Sequence, residues 1–289
     1  MDVAERIETA LERVVHNAGG GECPPRLAAA MRYALFPGGA RIRPQISHAV
    51  AAACGEDDPA VIDSAAAAIE LLHCASLVHD DLPCFDDAAI RRGKPSLHAT
   101  FGERLAVLVG DSLIVLAFQT LGAGAAHRPE RLASLLAILG RSVGAPAGIA
   151  AGQAWECETR IDLAQYHQAK TGALFAAATC AGAAAAGGPS EPWRRLGERL
   201  GQAYQVADDI RDVAARPEEI GKPVGQDDLL DRPSIAREMG LPRAVQHLEC
   251  VVREAIDAIP ACPGRDRLES LMVSRARQFL PDRLWQMAA

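Results

Sequence analysis

The chain has 289 residues, of which 49% are hydrophobic and 23% charged; that balance buries a sizeable core and excludes a disordered protein. The formal net charge is −7 and aromatics make up 4%, so neither a surface built for nucleic acid nor stacking platforms for single strands are expected.

Helical periodicity begins at once, with apolar residues at Ala4, Ile7, Ala10, Leu11 and Val14. Breaks at Asn17 to Pro25, Phe36 to Gly39 and Gly55 to Pro59 separate the next segments. The run AAAAIELLHCASLVH at 65–79 is too long and too alanine-rich for a strand and reads as a buried helix. Asp58, Ser190 and Asp162 stand as candidate helix caps. The apolar stretch Leu105 to Phe118 is broken by Gly110-Asp111, and Gly172 to Gly188 is short and mostly alanine, so no transmembrane helix is expected. Acids from the second residue on leave no room for a secretory signal at the start of this sequence. The eight cysteines form no C-x-x-C pair, which fits reduced thiols in a cytoplasm. No alternating pattern demands a sheet, and no low-complexity linker divides the chain. One all-α domain over 1–289, a bundle of antiparallel helices, is the expectation.

Two acidic constellations stand out. The first is HDDLPCFDDAAIRRGKPS at 79–96, which places Asp80 and Asp81 at the end of an apolar helix and returns to acid at Asp86 and Asp87. A carboxylate beside a helix C-terminus is electrostatically unfavourable and calls for a compensating cation. The second is YQVADDIRDV at 204–213, where Asp208 and Asp212 are one turn apart and repel unless neutralised. A lone D-D pair is most often a solvated helix end. Two, each behind an apolar helix and each trailed by basic residues, fit a hard divalent cation held by oxygen, and Mg²⁺ suits such sites. Arg41 and Arg43 follow a Gly-Gly turn, Arg91, Arg92 and Lys94 follow the first acidic site, Lys170-Thr171-Gly172 lies in a helix, and Lys222 and Arg232 flank the loop after the second site. Together these point to a pocket for a metal-bridged diphosphate.

These residues resemble the trans-isoprenyl diphosphate synthases, or polyprenyl synthetases. GGARIRP at 38–44 is similar to that family's GGKRLRP element. Asp80 to Asp86 resembles its first aspartate-rich motif in the longer form, and Asp208 to Asp212 resembles the second. Lys170-Thr171-Gly172-Ala173-Leu174 and GKPVGQD at 221–227 complete the order, over about residues 36 to 234. GGARIRP with GQAWE at 152–156 looks most like the geranylgeranyl diphosphate synthases of purple-bacterial carotenoid and bacteriochlorophyll pathways.

The resemblance implies a Mg²⁺-dependent, homodimeric enzyme with an apolar tunnel. It would condense isopentenyl diphosphate with the dimethylallyl, geranyl or farnesyl diphosphate. Carried over by position, Asp80, Asp81, Asp86, Asp208, Asp209 and Asp212 address the metal. Arg91, Lys170, Thr171, Gln205, Lys222 and Arg232 hold the allylic diphosphate or the loop closed around it. Arg43, His73 and Arg92 hold isopentenyl diphosphate, with Gly39 shaping the turn; the i, i+7 relation of His73 to Asp80 puts both on one face and favours this role over that of a core histidine, whereas Thr171 and Gln205 fit a helix-packing hydrogen bond nearly as well. His79 is read as structural. Three departures matter: Ala40 replaces the usual clamping lysine, Arg232 replaces a loop lysine, and Glu156 replaces an aspartate.

Product length is expected to depend on Ala75 and Ser76, five and four residues before Asp80 and roughly 6–7.5 Å below it. A large aromatic there stops growth at C15 in the family. Both are small here, so a C20 product is favoured, with the floor set elsewhere and Phe118 a candidate. Alternatives at this level are a C15 synthase, a terpene cyclase and a catalytically silent subunit.

Overall fold

The apolar run at 65–79 is helical, and its helix lies at the centre of the molecule. The computed structural model describes residues 2–214 and 234–285. Lys222 and Arg232, and the GKPVGQD element, lie outside the described residues. The helices are α1 (Val3–Ala18), α2 (Pro25–Leu35), α3 (Ile42–Ala53), α4 (Pro59–Asp80), α5 (Leu97–Phe101), α6 (Glu103–Ala125), α7 (Pro129–Val143), α8 (Ile149–Ala154), α9 (Leu163–His167), α10 (Ala173–Ala185) and α11 (Arg194–Ala214). Further helices cover Ile235–Met239, Leu241–Asp257, Arg265–Arg277 and Asp282–Trp285. Among the described residues the only sheet is a hairpin pairing Ile90–Arg91 with Lys94–Pro95, turned by Arg92 and Gly93 at positive φ. Strands of two residues are too short to show any alternation in sequence.

α4 is buried almost all round, from Val61 to Val78, and packs against α6, α3 and α10. Alanine makes this feasible, because small side chains let helices approach from several sides. Two glycines of α6 set the closest contacts: a Cβ on Gly110 would lie 2.0 Å from His79 Nε2, and one on Gly124 would lie 2.3 Å from Ser64 Cβ. The two helices are therefore antiparallel. Gly110-Asp111 interrupts the apolar composition but not the helix: α6 runs through it, and Gly110 is the seat of the His79 ring. His79 Nε2 lies 3.2 Å from the Val107 carbonyl oxygen. α4 and α6 are both long and apolar enough to cross a membrane by length and composition alone, a test that a buried core helix also passes. For α4 that composition serves the core: 78% of its most apolar window is buried, against 33% for α6.

A main core runs from α1 to the α10–α11 pair, and a smaller cluster joins the end of α11 to Ala236, Leu248, Phe279 and Leu284. The caps divide. Asp162 accepts a hydrogen bond from Gln165 N at 3.1 Å, as a cap should. Asp58 sits at the N-cap of α4 but accepts from His127 at 2.8 Å and Arg128 at 2.9 Å, tying α4 to the α6–α7 connection.

The GGARIRP turn is anchored by the first of its arginines. Arg41 adopts a left-handed φ of 50° and donates to Glu70 at 2.7 Å, to Glu8 at 2.8 Å and to the Leu35 carbonyl at 2.8 Å. The Arg41 and Glu70 side chains are 5% and 2% exposed. Removing one partner leaves an unpaired buried charge, a loss of about 3–5 kcal/mol. Arg41→Ala is therefore expected to lower the unfolding free energy by about that amount in a urea titration. A loss under about 1 kcal/mol, the range of an exposed pair, would show that Glu8 and Glu70 are satisfied without it.

Candidate active site

The site is built where α4 ends. Asp80 is its last residue and Asp81 its C-cap, so both carboxylates sit at the negative end of the helix dipole. The chain then folds back on itself: Asp86 N donates to Asp80 O at 2.9 Å and Ala88 N to Asp81 O at 3.2 Å. That turn brings the Asp86 side chain beside Asp80. The hairpin next returns Arg91, whose Nε donates to Asp81 Oδ1 at 2.9 Å and whose guanidinium makes a second, shorter bond to the same oxygen. Asp80 Oδ2 lies 3.8 Å from Arg91.

The second wall is a π-helical turn, Gln168–Gly172, between α9 and α10. Such turns widen a helix and recur at functional sites. This one abuts α8 at Gly152, where a Cβ would lie 2.4 Å from Lys170 N. Only glycine permits that approach. From there Lys170 Nζ reaches Glu156 Oε1 at 2.5 Å and Asp80 Oδ1 at 3.1 Å. Glu156 is held from two further directions, by Tyr166 OH at 2.6 Å and Gln153 Nε2 at 2.8 Å. Asp80, Asp86 and Glu156 each offer an oxygen within 4.8 Å of the others.

Burial pushes the Asp80 carboxyl above its ordinary range; Lys170 opposes that shift and Asp86 adds to it. Asp81 is also raised by burial, against the pull of Arg91. For Lys170, burial disfavours the charge, but Asp80, Tyr166 and Glu156 outweigh it and hold the ammonium firmly protonated. Asp80 Oδ1 is buried, with the Lys170 ammonium 3.1 Å away as its charged partner.

The second aspartate-rich motif lies on α11. Thr171 Oγ1 donates to Gln205 Oε1 at 3.1 Å, and Gln205 Nε2 donates to Asp209 Oδ1 at 3.0 Å. The π turn thus connects the two acidic ends, with Lys170 facing one and Thr171 the other. Asp209 Oδ2 accepts from Ile235 N at 2.9 Å, Asp208 pairs with Arg211 at 2.8 Å, and Asp212 lies 4.0 Å from Arg237. Asp209 and Asp212 are the buried pair here, and Asp208 is half-buried. Among the described residues these three carboxylates do not join the Asp80 cluster.

A separate cationic cluster forms behind α4. Arg43 is 9% exposed and lies 3.4 Å from His73 Nε2. Its guanidinium stacks 4.5 Å from the centre of the Phe175 ring and 5.9 Å from that of Tyr204. Gly39 faces the Arg92 guanidinium, which would lie 3.0 Å from a Cβ there. Burial first, then the charges of Arg43 and Arg92, holds His73 well below the ordinary histidine range, so it is neutral. Burial likewise lowers Arg43, whose Nε has no hydrogen-bond partner. Ala75 is fully buried, and Ser76 Oγ donates to the His73 carbonyl at 2.8 Å. Gly39, Arg43, His73 and Arg92 are thus brought together. Ala40 is exposed.

Glu156 and Tyr166 were not among the expected site residues. Glu156 was legible as part of GQAWE but read only as a departure in length. Tyr166 carries no signal beyond its place four residues before Lys170.

A sequence model of the polyprenyl synthetase family matches residues 24–263. The chain is 51% identical over 281 residues to a geranylgeranyl diphosphate synthase of Cereibacter sphaeroides, covering 97% of this chain and 98% of that one. It is 53% identical over 280 residues to one from Rhodobacter capsulatus, covering 97% of both. A geranyltransferase from Helicobacter pylori, solved with magnesium and isoprenyl diphosphate, has the same fold: TM-score 0.79, 29% identity, and coverage of 96% of this chain and 98% of that one. An all-α fold with paired acidic and cationic clusters at one end of its central helix is that of a prenyltransferase. The chain belongs to the polyprenyl synthetase family.

Because Gly152 sets the position of Lys170, Gly152→Ala is expected to cost about 1–3 kcal/mol of stability by overpacking. It should also lower kcat for prenyl transfer at least tenfold. Unchanged kinetics in a folded variant would separate Lys170 from this contact.

Proposed function

We infer that the protein joins isopentenyl diphosphate head to tail to an allylic diphosphate and that its product is geranylgeranyl diphosphate. The observation that carries this reading is the presence of two cationic clusters of different kinds. Lys170 and Arg91 lie against carboxylates, where a metal-bridged diphosphate fits. Arg43 offers a buried Nε with no partner, beside His73 and Arg92, where a diphosphate without metal fits. A terpene cyclase needs one diphosphate site; a condensing enzyme needs two.

The donor set suits Mg²⁺. It is all oxygen, and its three carboxylates converge. Asp80 and Asp86, with Glu156 beside them, would hold the ion on one side, and Asp81 would orient Arg91. Asp208, Asp209 and Asp212 would supply the other side. When bound, Mg²⁺ neutralises charge on the departing diphosphate. Lys170 and Arg91 hold that diphosphate, while Thr171 and Gln205 keep the π turn in register with α11. Lys222 and Arg232 are assigned to the closing loop. Arg43, His73 and Arg92 orient isopentenyl diphosphate so that its double bond attacks the allylic carbon as the carbon–oxygen bond breaks. The proton then passes to the released diphosphate. The apolar wall of α4 excludes water from the cation.

The register between α4 and α6 supports the C20 product. His79 meets Gly110 and Ser64 meets Gly124, so Ala75 lies level with about Ile114. Phe118 is then one turn deeper, room for roughly one more isoprene unit. The 51% and 53% identical relatives are named for the same product. We read that product as a precursor for carotenoid synthesis, a reading supported by the GGARIRP and GQAWE forms. We also read the chain as one domain over 1–289, acting in the cytoplasm, where its thiols stay reduced. It acts as a homodimer: Leu108 and Val115 on α6 are 52% and 55% exposed and share a face, which a second copy would cover.

The test is a product assay with isopentenyl diphosphate and each of the C5, C10 and C15 allylic primers, with and without Mg²⁺. Mg²⁺-dependent C20 is expected, and no condensation by folded protein would favour the silent subunit. Ala75→Tyr should shift the product to C15; C20 unchanged would move the floor away from α4. Val115→Glu should convert the dimer to monomer in sedimentation, whereas an unaltered sedimentation coefficient would place the interface elsewhere.

A further inference from the structure

Lys170 lies between carboxylates that a metal needs. Its ammonium contacts Glu156 at 2.5 Å and Asp80 at 3.1 Å, and those two residues with Asp86 form the converging cluster. Arg91 does the same for Asp81. In this arrangement both cations assigned to the diphosphate are engaged by the acidic motif itself. Lys170 is only 20% exposed, and Glu156 is fixed by Tyr166 and Gln153, so the ammonium is held rather than resting there by chance.

We propose that Lys170 is an internal counter-ion that occupies the acidic site until a diphosphate arrives, so that metal and diphosphate bind as a coupled pair. This rests on the reading of Asp80 and Asp86 as metal ligands. The physical reason is an exchange of partners. A divalent cation entering alone meets carboxylates already neutralised in part, and the ammonium is pushed against it. A diphosphate offers that ammonium new oxygen partners. Lys170 then leaves Asp80, and the freed carboxylate oxygens face the metal. Tyr166 and Gln153 keep Glu156 in place through the exchange, which makes Glu156 the residue that returns the ammonium when the diphosphate departs. Coupling of this kind is reciprocal: whatever diphosphate does for metal affinity, metal does for diphosphate affinity. The consequence is a site that rejects a bare cation and accepts one that comes with substrate.

The probes are Mn²⁺, followed by electron paramagnetic resonance of the free ion, and inorganic pyrophosphate. Wild-type protein should bind Mn²⁺ weakly alone and at least tenfold more tightly with pyrophosphate at saturation. Lys170→Gln should bind Mn²⁺ alone at least fivefold more tightly than wild type, and pyrophosphate should improve its affinity much less. As a second readout, Mn²⁺ without pyrophosphate should raise the melting temperature of Lys170→Gln more than that of wild type. Lys170→Met, of similar length, should reproduce both effects if either variant folds poorly. If Mn²⁺ binding depends on Asp80 but Lys170→Gln binds it no more tightly than wild type, the counter-ion role is overturned and the metal site stands. If wild-type protein binds Mn²⁺ no better than Asp80→Asn, with or without pyrophosphate, the metal site itself fails and this inference with it.

Discussion

Three carboxylate oxygens within 4.8 Å of one another, at the C-terminal end of a buried helix, are the constraint around which this molecule is arranged. At an effective dielectric of about 20, each such pair repels by roughly 3–4 kcal/mol, and the helix dipole adds to that. α4 cannot end this way unless cations are brought to it. The hairpin after Asp86 delivers Arg91, and the π turn delivers Lys170. Both place positive charge directly against those carboxylates.

The scaffold follows from the same requirement. A site that depends on contacts of 2.5 to 3.1 Å needs rigid walls, and these walls are helices in very close approach. Gly110 admits His79, Gly152 admits the π turn, and Gly201 lies where a Cβ would come 2.7 Å from Gly172 Cα. α10, made mostly of alanine and buried along its whole length, holds the π turn against α11. The alanine content that defines the composition is therefore a packing device. It allows a many-helix bundle in which the polar turns, rather than bulky side chains, fill the space at one end.

The two arginines of GGARIRP show how adjacent, chemically identical residues acquire different work. Arg41 is locked to Glu8, Glu70 and the Leu35 carbonyl and fixes the turn. Arg43, one helical step inside α3, stacks over Phe175 and keeps a buried nitrogen without a partner. One is neutralised by the protein; the other, on the proposed reading, would be left for a ligand. The exposed Ala40 beside them has no charge to offer, so on that reading the second diphosphate would depend on Arg43, His73 and Arg92.

The sequence alone determined a great deal. Helical periodicity and alanine content set the all-α fold, and the ordered acidic and basic motifs set the chemistry, because each is carried by residues close together along one helix or one turn. Asp80, Asp81 and Asp86 are such a local set. The tertiary structure decided what no local pattern encodes. Glu156 and Tyr166 belong to the acidic site only because α8 and α9 fold back on the end of α4. Asp58 looked like a cap but serves His127 and Arg128, which reach it from the far end of α6. Gly110 interrupts an apolar stretch in sequence and is a packing contact in the structure. In each case the deciding partner is distant in sequence, and the contact exists because burying one helix against another leaves a single geometry in which both steric and electrostatic demands are met.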